Sequence, residues 1–224
     1  VSADPLGRGL LSGRTTYPVE RYFDRLLSRL GLTEGAGRRA LDMGCGDGLA
    51  TAWLAAHGWI VRGEDVEAHP AWPDLAAGGE SRLEFRVRDA AAPGDGNFDL
   101  VLTKDMLHHA SDPVAALRSL KGRLRPGGRL AVLECNRRNP IFYVHLTLME
   151  NHQHFTKGRL LGLLKEAGLG DARLQVIEAR VWPWGGRKFQ NACDKFQDCA
   201  EALPLWRPFA CYHAAVWKAP GGEA

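Results

Sequence analysis

The sequence predicts an α/β fold: a seven-stranded, mostly parallel sheet with helices on both faces and an antiparallel C-terminal strand. Three observations predict it. Short apolar runs alternate with amphipathic helical stretches at the spacing of βαβ units. A glycine-dense turn, LDMGCGDG from Leu41 to Gly48, joins the first of these runs to a helix. The chain has 224 residues, 45% hydrophobic and 25% charged, enough for one sizeable core and short for two. A single domain over residues 1–224 is expected.

Each element has its own signal. Residues 1–15 carry Pro, Gly, Ser and Arg without periodicity and read as a flexible lead-in. A helix follows, with Pro18 in its first turn, Phe23, Leu26, Leu27 and Leu30 on one face, and Gly31 as its stop. Arg39 to Met43 reads as the first strand. Leu49, Ala52, Trp53 and Ala56 form the apolar face of a helix ending at Gly58. Trp59 to Val66, Leu83 to Val87 and Phe98 to Thr103 read as the next three strands. Asp112-Pro113 supplies an N-cap and a first-turn proline for a helix using Val114, Leu117 and Leu120; Pro126-Gly127-Gly128 then breaks the chain.

Leu130 to Glu134 is the fifth strand. Residues 136–155 interrupt the pattern with aromatic, Asn and His side chains. A helix resumes at Thr156, with Phe155 and Leu160 placed as a hydrophobic staple, and ends at Gly168. Arg173 to Val181 reads as a strand. A helix with Phe189, Ala192, Cys193, Phe196 and Cys199 on one face comes next, and Phe209 to Trp217 closes the sheet. Two strands separated by one helix suit an antiparallel edge.

Composition narrows the function classes. The net charge is +3 and the basic residues are scattered, which argues against a nucleic-acid partner. The five cysteines, Cys45, Cys135, Cys193, Cys199 and Cys211, show no CxxC spacing and an odd count, so reduced thiols are expected. No apolar run approaches the ~20 residues that span a bilayer, and the N-terminus has no signal-peptide pattern. A cytoplasmic protein without a membrane span is expected; nothing indicates its oligomeric state.

The glycines invite a dinucleotide reading, but that fingerprint is G-x-G-x-x-G and Leu49 stands where its third glycine belongs. No G-x-x-x-x-G-K-[ST] loop occurs. The companion signals are more informative. Asp65 closes the second strand in VRGEDVE, where a carboxylate can accept both hydroxyls of a ribose. Asp89-Ala90 ends the third strand, where a carboxylate and a backbone amide can read an adenine edge. FDLVLTKDMLHH and LRPGGRLAVLE follow in order.

Together these motifs resemble the class I S-adenosylmethionine-dependent methyltransferases. They are most similar to the small-molecule and quinone-type group with LDxGCGxG, VxGxDxS, FDxVxxxxxLHH and LxPGGxL. The resemblance covers Arg39 to Glu134, and more weakly FTKGRLLGLLKEAGL. It implies a Rossmann-like sheet, S-adenosyl-L-methionine as cofactor and a small-molecule acceptor. The donor is a net cation without phosphates, so a pocket for it wants carboxylates at the carboxyl ends of strands. By resemblance, Asp42, Gly44, Cys45, Gly46 and Gly48 lie along the methionine and ribose, and Asp65 holds the ribose hydroxyls. Val66 packs on adenine, Asp89 accepts from its amino group and Ala90 offers its backbone. Thr103 and Lys104 pass near the methionine end. Residues 1–31, with Tyr17, are expected to fold over the cofactor as a lid. Glu67 departs from the family pattern, standing where a small polar residue is usual.

Methyl transfer is an in-line displacement needing alignment and exclusion of water; a base matters for hydroxyl or activated-carbon acceptors. The resemblance turns His108 and His109 toward the crevice, either as acceptor contacts or as caps of loop carbonyls. His152, in the 136–155 insert, is the third catalytic candidate, and the insert is expected to shape the acceptor site. Glu134 can orient a substrate or serve the fold. His145, Glu150, His152 and His154 show no recognised ligand spacing, so no metal is assigned. Asn139-Pro140-Ile141-Phe142 is similar to the NPPY motif of amino-group methylases acting on bases and glutamine. That motif belongs after the fourth strand, where this chain has TKDM, so those acceptors are discounted.

Aromatic residues gather at Tyr17, Tyr22 and Phe23, at Phe142 and Tyr143, and at Trp182 and Trp184, suiting an apolar or planar acceptor as well as ordinary core packing. O- or N-methylation of a small organic molecule is the leading reading. C-methylation of a quinone-like or lipid acceptor stands beside it, and so does a catalytically silent cofactor-binding protein on the same fold.

Overall fold

The computed structural model describes residues 17–78, 82–144, 148, 154–181 and 185–221. Seven strands form one sheet: β1 (Arg39–Met43), β2 (Ile60–Asp65), β3 (Leu83–Val87), β4 (Phe98–Lys104), β5 (Leu124–Cys135), β6 (Arg173–Ile177) and β7 (Tyr212–Lys218). Their order is β3-β2-β1-β4-β5-β7-β6. The first five strands pair in parallel, and β7 runs antiparallel to both β5 and β6. The antiparallel strand is therefore inserted between two others instead of lying at the edge, which β6 occupies.

Helices α1 (Tyr17–Ser28), α2 (Leu49–Ala56) and α3 (Trp72–Gly78) cover one face, sharing a core that includes Leu26, Leu27, Trp53 and Leu75. On the other face α4 (Pro113–Gly122) and, after the short α5 (Pro140–Phe142), α6 (Lys157–Glu166) bury Leu117, Leu120, Leu160 and Leu163. The start of α4 follows its sequence signal: the Asp112 carboxylate accepts from the amides of Val114 and Ala115. Thr156 caps α6 through the amide of Arg159, and Phe155 packs in the same cluster as Leu160. Among the described residues no helix is long and apolar enough to cross a membrane.

Several elements depart from the sequence reading. Pro126-Gly127-Gly128 does not end an element; it lies within β5, where the register against β4 shifts and Gly127 takes φ +75°. Arg207–Phe209 form a 3-10 turn, so the last strand starts at Tyr212. The helix α7 (Arg187–Ala202) buries Gln190, Cys193, Gln197 and Ala200, leaving Phe196 and Cys199 of the expected apolar face exposed. Polar bonds set that rotation. The Gln197 side chain accepts from the amide of Arg180 at 2.7 Å, and Arg25 of α1 reaches Asp198 at 2.7 Å and Glu201 at 3.0 Å. Helix α1 is itself core, with Tyr22, Leu26 and Leu27 buried against the sheet. The lead-in ahead of it, the side chain of Tyr17, and His145, Glu150, His152, Trp182 and Trp184 lie outside the described residues.

One buried ion pair ties the end of α4 to β2, the strand beside the β3 edge of the sheet. Arg123, which caps α4, donates to both oxygens of Glu64 on β2 at 2.6 and 2.8 Å, and both side chains are at most 2% exposed. Removing Arg123 takes away the two-pronged partner of a fully buried carboxylate and leaves it only the longer contacts to Arg62 at 3.7 Å and Arg88 at 3.6 Å. Arg123→Leu is expected to destabilise the fold by about 3–5 kcal/mol, more than a double Arg123→Leu, Glu64→Leu exchange. Urea unfolding measures both; a single variant within about 1 kcal/mol of wild type contradicts this account.

Candidate active site

The turn after β1 runs at positive φ through Gly44 (+76°), Gly46 (+51°) and Gly48 (+83°). A Cβ on Gly44 would lie 2.4 Å from the Met106 side chain, and one on Gly48 2.8 Å from Phe85 and 2.9 Å from Leu75. Gly46, the middle glycine, faces open space, while the absence of a side chain at its neighbours lets two other segments approach. Asp65, at the end of β2, fastens the turn: one carboxylate oxygen accepts from the Gly46 amide at 2.9 Å and the other from the Val66 amide at 2.7 Å. Trp72 of α3, stacked on Phe85 at 5.0 Å, donates its indole N–H to the Gly46 carbonyl at 2.8 Å.

Above the carboxyl ends of β1 and β4 opens a cleft of about 570 Å³. Gly44, Gly46, Asp65, Val66, Asp89, Ala90 and His109, all named from the sequence, line it. Asp42, Cys45, Gly48, Thr103, Lys104 and His108 do not. Asp42 is 1% exposed and its carboxylate accepts from the Thr51 hydroxyl at 2.6 Å, pinning α2 to β1. Burial pushes its pKa up to about 6. Cys45 packs beneath the turn, and burial raises its thiol as well. Thr103 is fully buried. Lys104 turns to the α1 face, 2.5 Å from the Asp105 carboxylate and over the rings of Tyr22 and Tyr212.

Residues that the sequence did not single out for the site complete the cleft, among them Asp105, Met106, Arg88 and the helix-capping Asp112. Asp105 sits at φ +52°, a rare backbone state for a residue with a side chain. Burial disfavours its charge, but the ammonium of Lys104 outweighs this and holds the carboxyl below the usual range. Its other oxygen accepts from the Cys135 amide at 3.0 Å. Arg88 is turned away, donating to the Pro93 carbonyl at 2.6 Å and lying 3.6 Å from Glu64. Asp65, Asp89, Asp105 and Asp112 therefore give the cleft an acidic balance.

The loop 105–109 is held from behind by Glu134 of β5. The carboxylate accepts from the Leu107 amide at 2.8 Å and lies 2.8 Å from His108 Nδ1. Burial, together with the charge of Asp105, raises the Glu134 carboxyl well above its usual range. The His109 ring packs on His108 with centroids 4.1 Å apart and reaches the cleft. His154, at the end of the insert, packs against His108 as well, with ring centroids 4.3 Å apart.

The family described as "Methyltransferase domain" matches residues 16–174. Ubiquinone biosynthesis O-methyltransferase of Xanthomonas axonopodis pv. citri (strain 306) is 31% identical over 172 residues, covering 69% of this chain and 71% of that protein. The chain belongs to the class I S-adenosylmethionine-dependent methyltransferases. A protein of the same name from Xanthomonas oryzae pv. oryzae (strain PXO99A) is 36% identical over 179 residues, covering 73% of this chain and 74% of that one. In fold, this methyltransferase is similar to 1,6-didemethyltoxoflavin-N1-methyltransferase of Burkholderia thailandensis, at TM-score 0.59 and 21% identity, covering 91% of this chain and 79% of that one.

The methyltransferase cleft suits a sulfonium donor. Its carboxylates match a net cation, its single guanidinium is engaged elsewhere, and Gly46 leaves backbone bare where a ligand would lie. Asp42 serves this enzyme as a buried brace, and its titration checks that role. In the unfolded chain the group ionises near 3.8 and in the fold near 6, so the folded state holds the extra proton between those values. Above pH 6 folding buries a charge, and stability falls by about 3 kcal/mol on the way up. Asp42→Asn is expected to be more stable than wild type at pH 8, with the gap closing by pH 4. Urea melts at the two pH values test this, and a gap independent of pH overturns it.

Proposed function

We propose that the enzyme transfers a methyl group from S-adenosylmethionine in this cleft to a hydroxyl of a small organic acceptor, with His109 as the base. The observation that carries the reading is the meeting of Asp65, Asp89 and His109 in one cleft after contributions from three separate strand ends. Gly44 and Gly46 would border the methionine, Asp65 the ribose hydroxyls, Val66 the adenine face, and Asp89 with the Ala90 backbone the adenine edge. Asp65 keeps acceptor capacity for this because each of its oxygens takes one backbone N–H.

Two features favour a hydroxyl on an apolar body. The Xanthomonas relatives are named for O-methylation in ubiquinone biosynthesis. A second cavity of about 490 Å³, lined by Tyr22, Ile141, Phe142, Val181 and Tyr212, lies beyond the Lys104–Asp105 pair. Tyr22 and Tyr212 share a 2.6 Å hydroxyl contact there, and burial lifts Tyr22 to about 12, so its phenol stays neutral. In the reaction the acceptor oxygen loses its proton to His109 and attacks the methyl carbon. The C–S bond pair passes to sulfur, turning the sulfonium into a thioether.

Calorimetric titration with S-adenosylmethionine and its demethylated product tests the donor half. Asp65→Ala is expected to weaken donor binding roughly 10- to 100-fold, the loss of charge-assisted hydrogen bonds of about 1.5–3 kcal/mol; unchanged affinity sinks the ribose assignment. His109→Ala should lower kcat for a phenolic acceptor on the order of 100-fold, with donor affinity kept. Full turnover in that variant removes His109 as the base.

A further inference from the structure

We propose that His108, Glu134 and His154 bind one divalent transition metal ion beside the cleft, and that zinc is the ion they suit. One ligand atom from each of the three residues falls within 4.8 Å of the other two. His108 Nδ1 and Glu134 Oε2 are 2.8 Å apart. Two donors bound to one ion at about 2.1 Å, at right or tetrahedral angles, are themselves roughly 3.0–3.4 Å apart. At 2.8 Å that pair is hydrogen-bonded and lies a few tenths of an ångström inside this separation, so an ion entering between them has to spread it slightly and draw in the His154 nitrogen, which lies within 4.8 Å.

The three residues come from different segments, and each is fixed by its own backbone. His108 rides on the loop whose Leu107 amide donates to Glu134. Glu134 is in the β5 ladder, paired with His213 of β7. His154 precedes Phe155, which bridges to Asn136, and Thr156, which caps α6. The Leu107 bond takes one Glu134 oxygen and leaves the other aimed at His108, the supporting contact that orients a ligating carboxylate. Burial is nearly complete: the His108 side chain is 3% exposed, Glu134 0% and His154 6%. Two imidazoles and one carboxylate suit a borderline ion such as zinc, and three protein ligands leave a fourth position for water.

The placement gives the ion a use. His109 packs on His108 and lines the cleft, so the site is one ring away from it. Building on the proposed O-methylation, a cation there lowers the pKa of a nearby hydroxyl and favours oxygen acceptors over amines. Methyl transfer changes no oxidation state at a metal, so a redox-inert ion is sufficient.

The test is direct metal binding by the intact chain, stripped with chelator and titrated with zinc or with cobalt(II), whose visible absorption reports its coordination. One equivalent is expected to bind. His154→Ala and Glu134→Gln should each weaken binding at least roughly 100-fold, beyond what loss of a merely supporting partner costs. His69→Ala, in an exposed loop, should bind as wild type does. Thermal melts identify a variant that fails to fold; if Glu134→Gln does, His154→Ala decides alone. Wild type without stoichiometric binding overturns the proposal, as does full affinity in His154→Ala. Donor titration of the same protein separates the two readings: donor binding without metal binding overturns only the metal site, and metal binding without donor binding overturns only the donor assignment.

Discussion

The cleft exists because the strand order reverses between β1 and β4. From β1 the chain builds outward through β2 and β3 on one side, and β4 and β5 extend the sheet on the other. Helices after β1 and β4 consequently lie on opposite faces, and the loops leaving the two strands diverge above the sheet. Everything that the site contains hangs on that divergence. The glycine turn descends on one side, the 105–109 loop on the other, and Asp65 and Asp89 arrive from the next two strand ends. Parallel pairing matters equally, since it brings all these strand ends to the same side of the sheet.

The second organising contact is Glu134. A carboxylate buried completely in β5 would be costly alone, and it is compensated by the Leu107 amide and the imidazole of His108. Asp105 does the same two residues before Leu107, bonding the Cys135 amide and Lys104. The loop after β4 is thus stitched to the end of β5 at two adjacent points. A short loop held this way tolerates the left-handed backbone at Asp105 and keeps His109 at the cleft wall. The shape of this wall of the cleft is therefore a property of the β4–β5 pair more than of the loop's own sequence.

The part of the chain beyond β5 varies the common plan. β7 inserts between β5 and β6, which places Tyr212 on the α1 face beside Tyr22 and His213 opposite Glu134. The hydroxyl contact between the two tyrosines and the ion pairs from Arg25 to α7 make α1 a structural helix.

By itself the sequence determined the fold class, the seven strands and the seven cleft residues Gly44, Gly46, Asp65, Val66, Asp89, Ala90 and His109. The fold and strands were legible because they depend on local chemistry, alternating periodicity and capping residues, and the cleft residues because their motifs at the strand ends resemble those of a known family. The tertiary structure decided what depends on side-chain direction and on partners distant in sequence. Asp42 and Lys104 lie in the same motifs as the lining residues, yet Thr51 captures the first and Asp105 with two tyrosines the second. The apolar count of α7 pointed to Phe196, but hydrogen bonds from Arg180 and Arg25 turned Gln197 inward. His108, Glu134 and His154 meet for the same reason that no spacing announced them: three segments distant in sequence converge only once the sheet has folded.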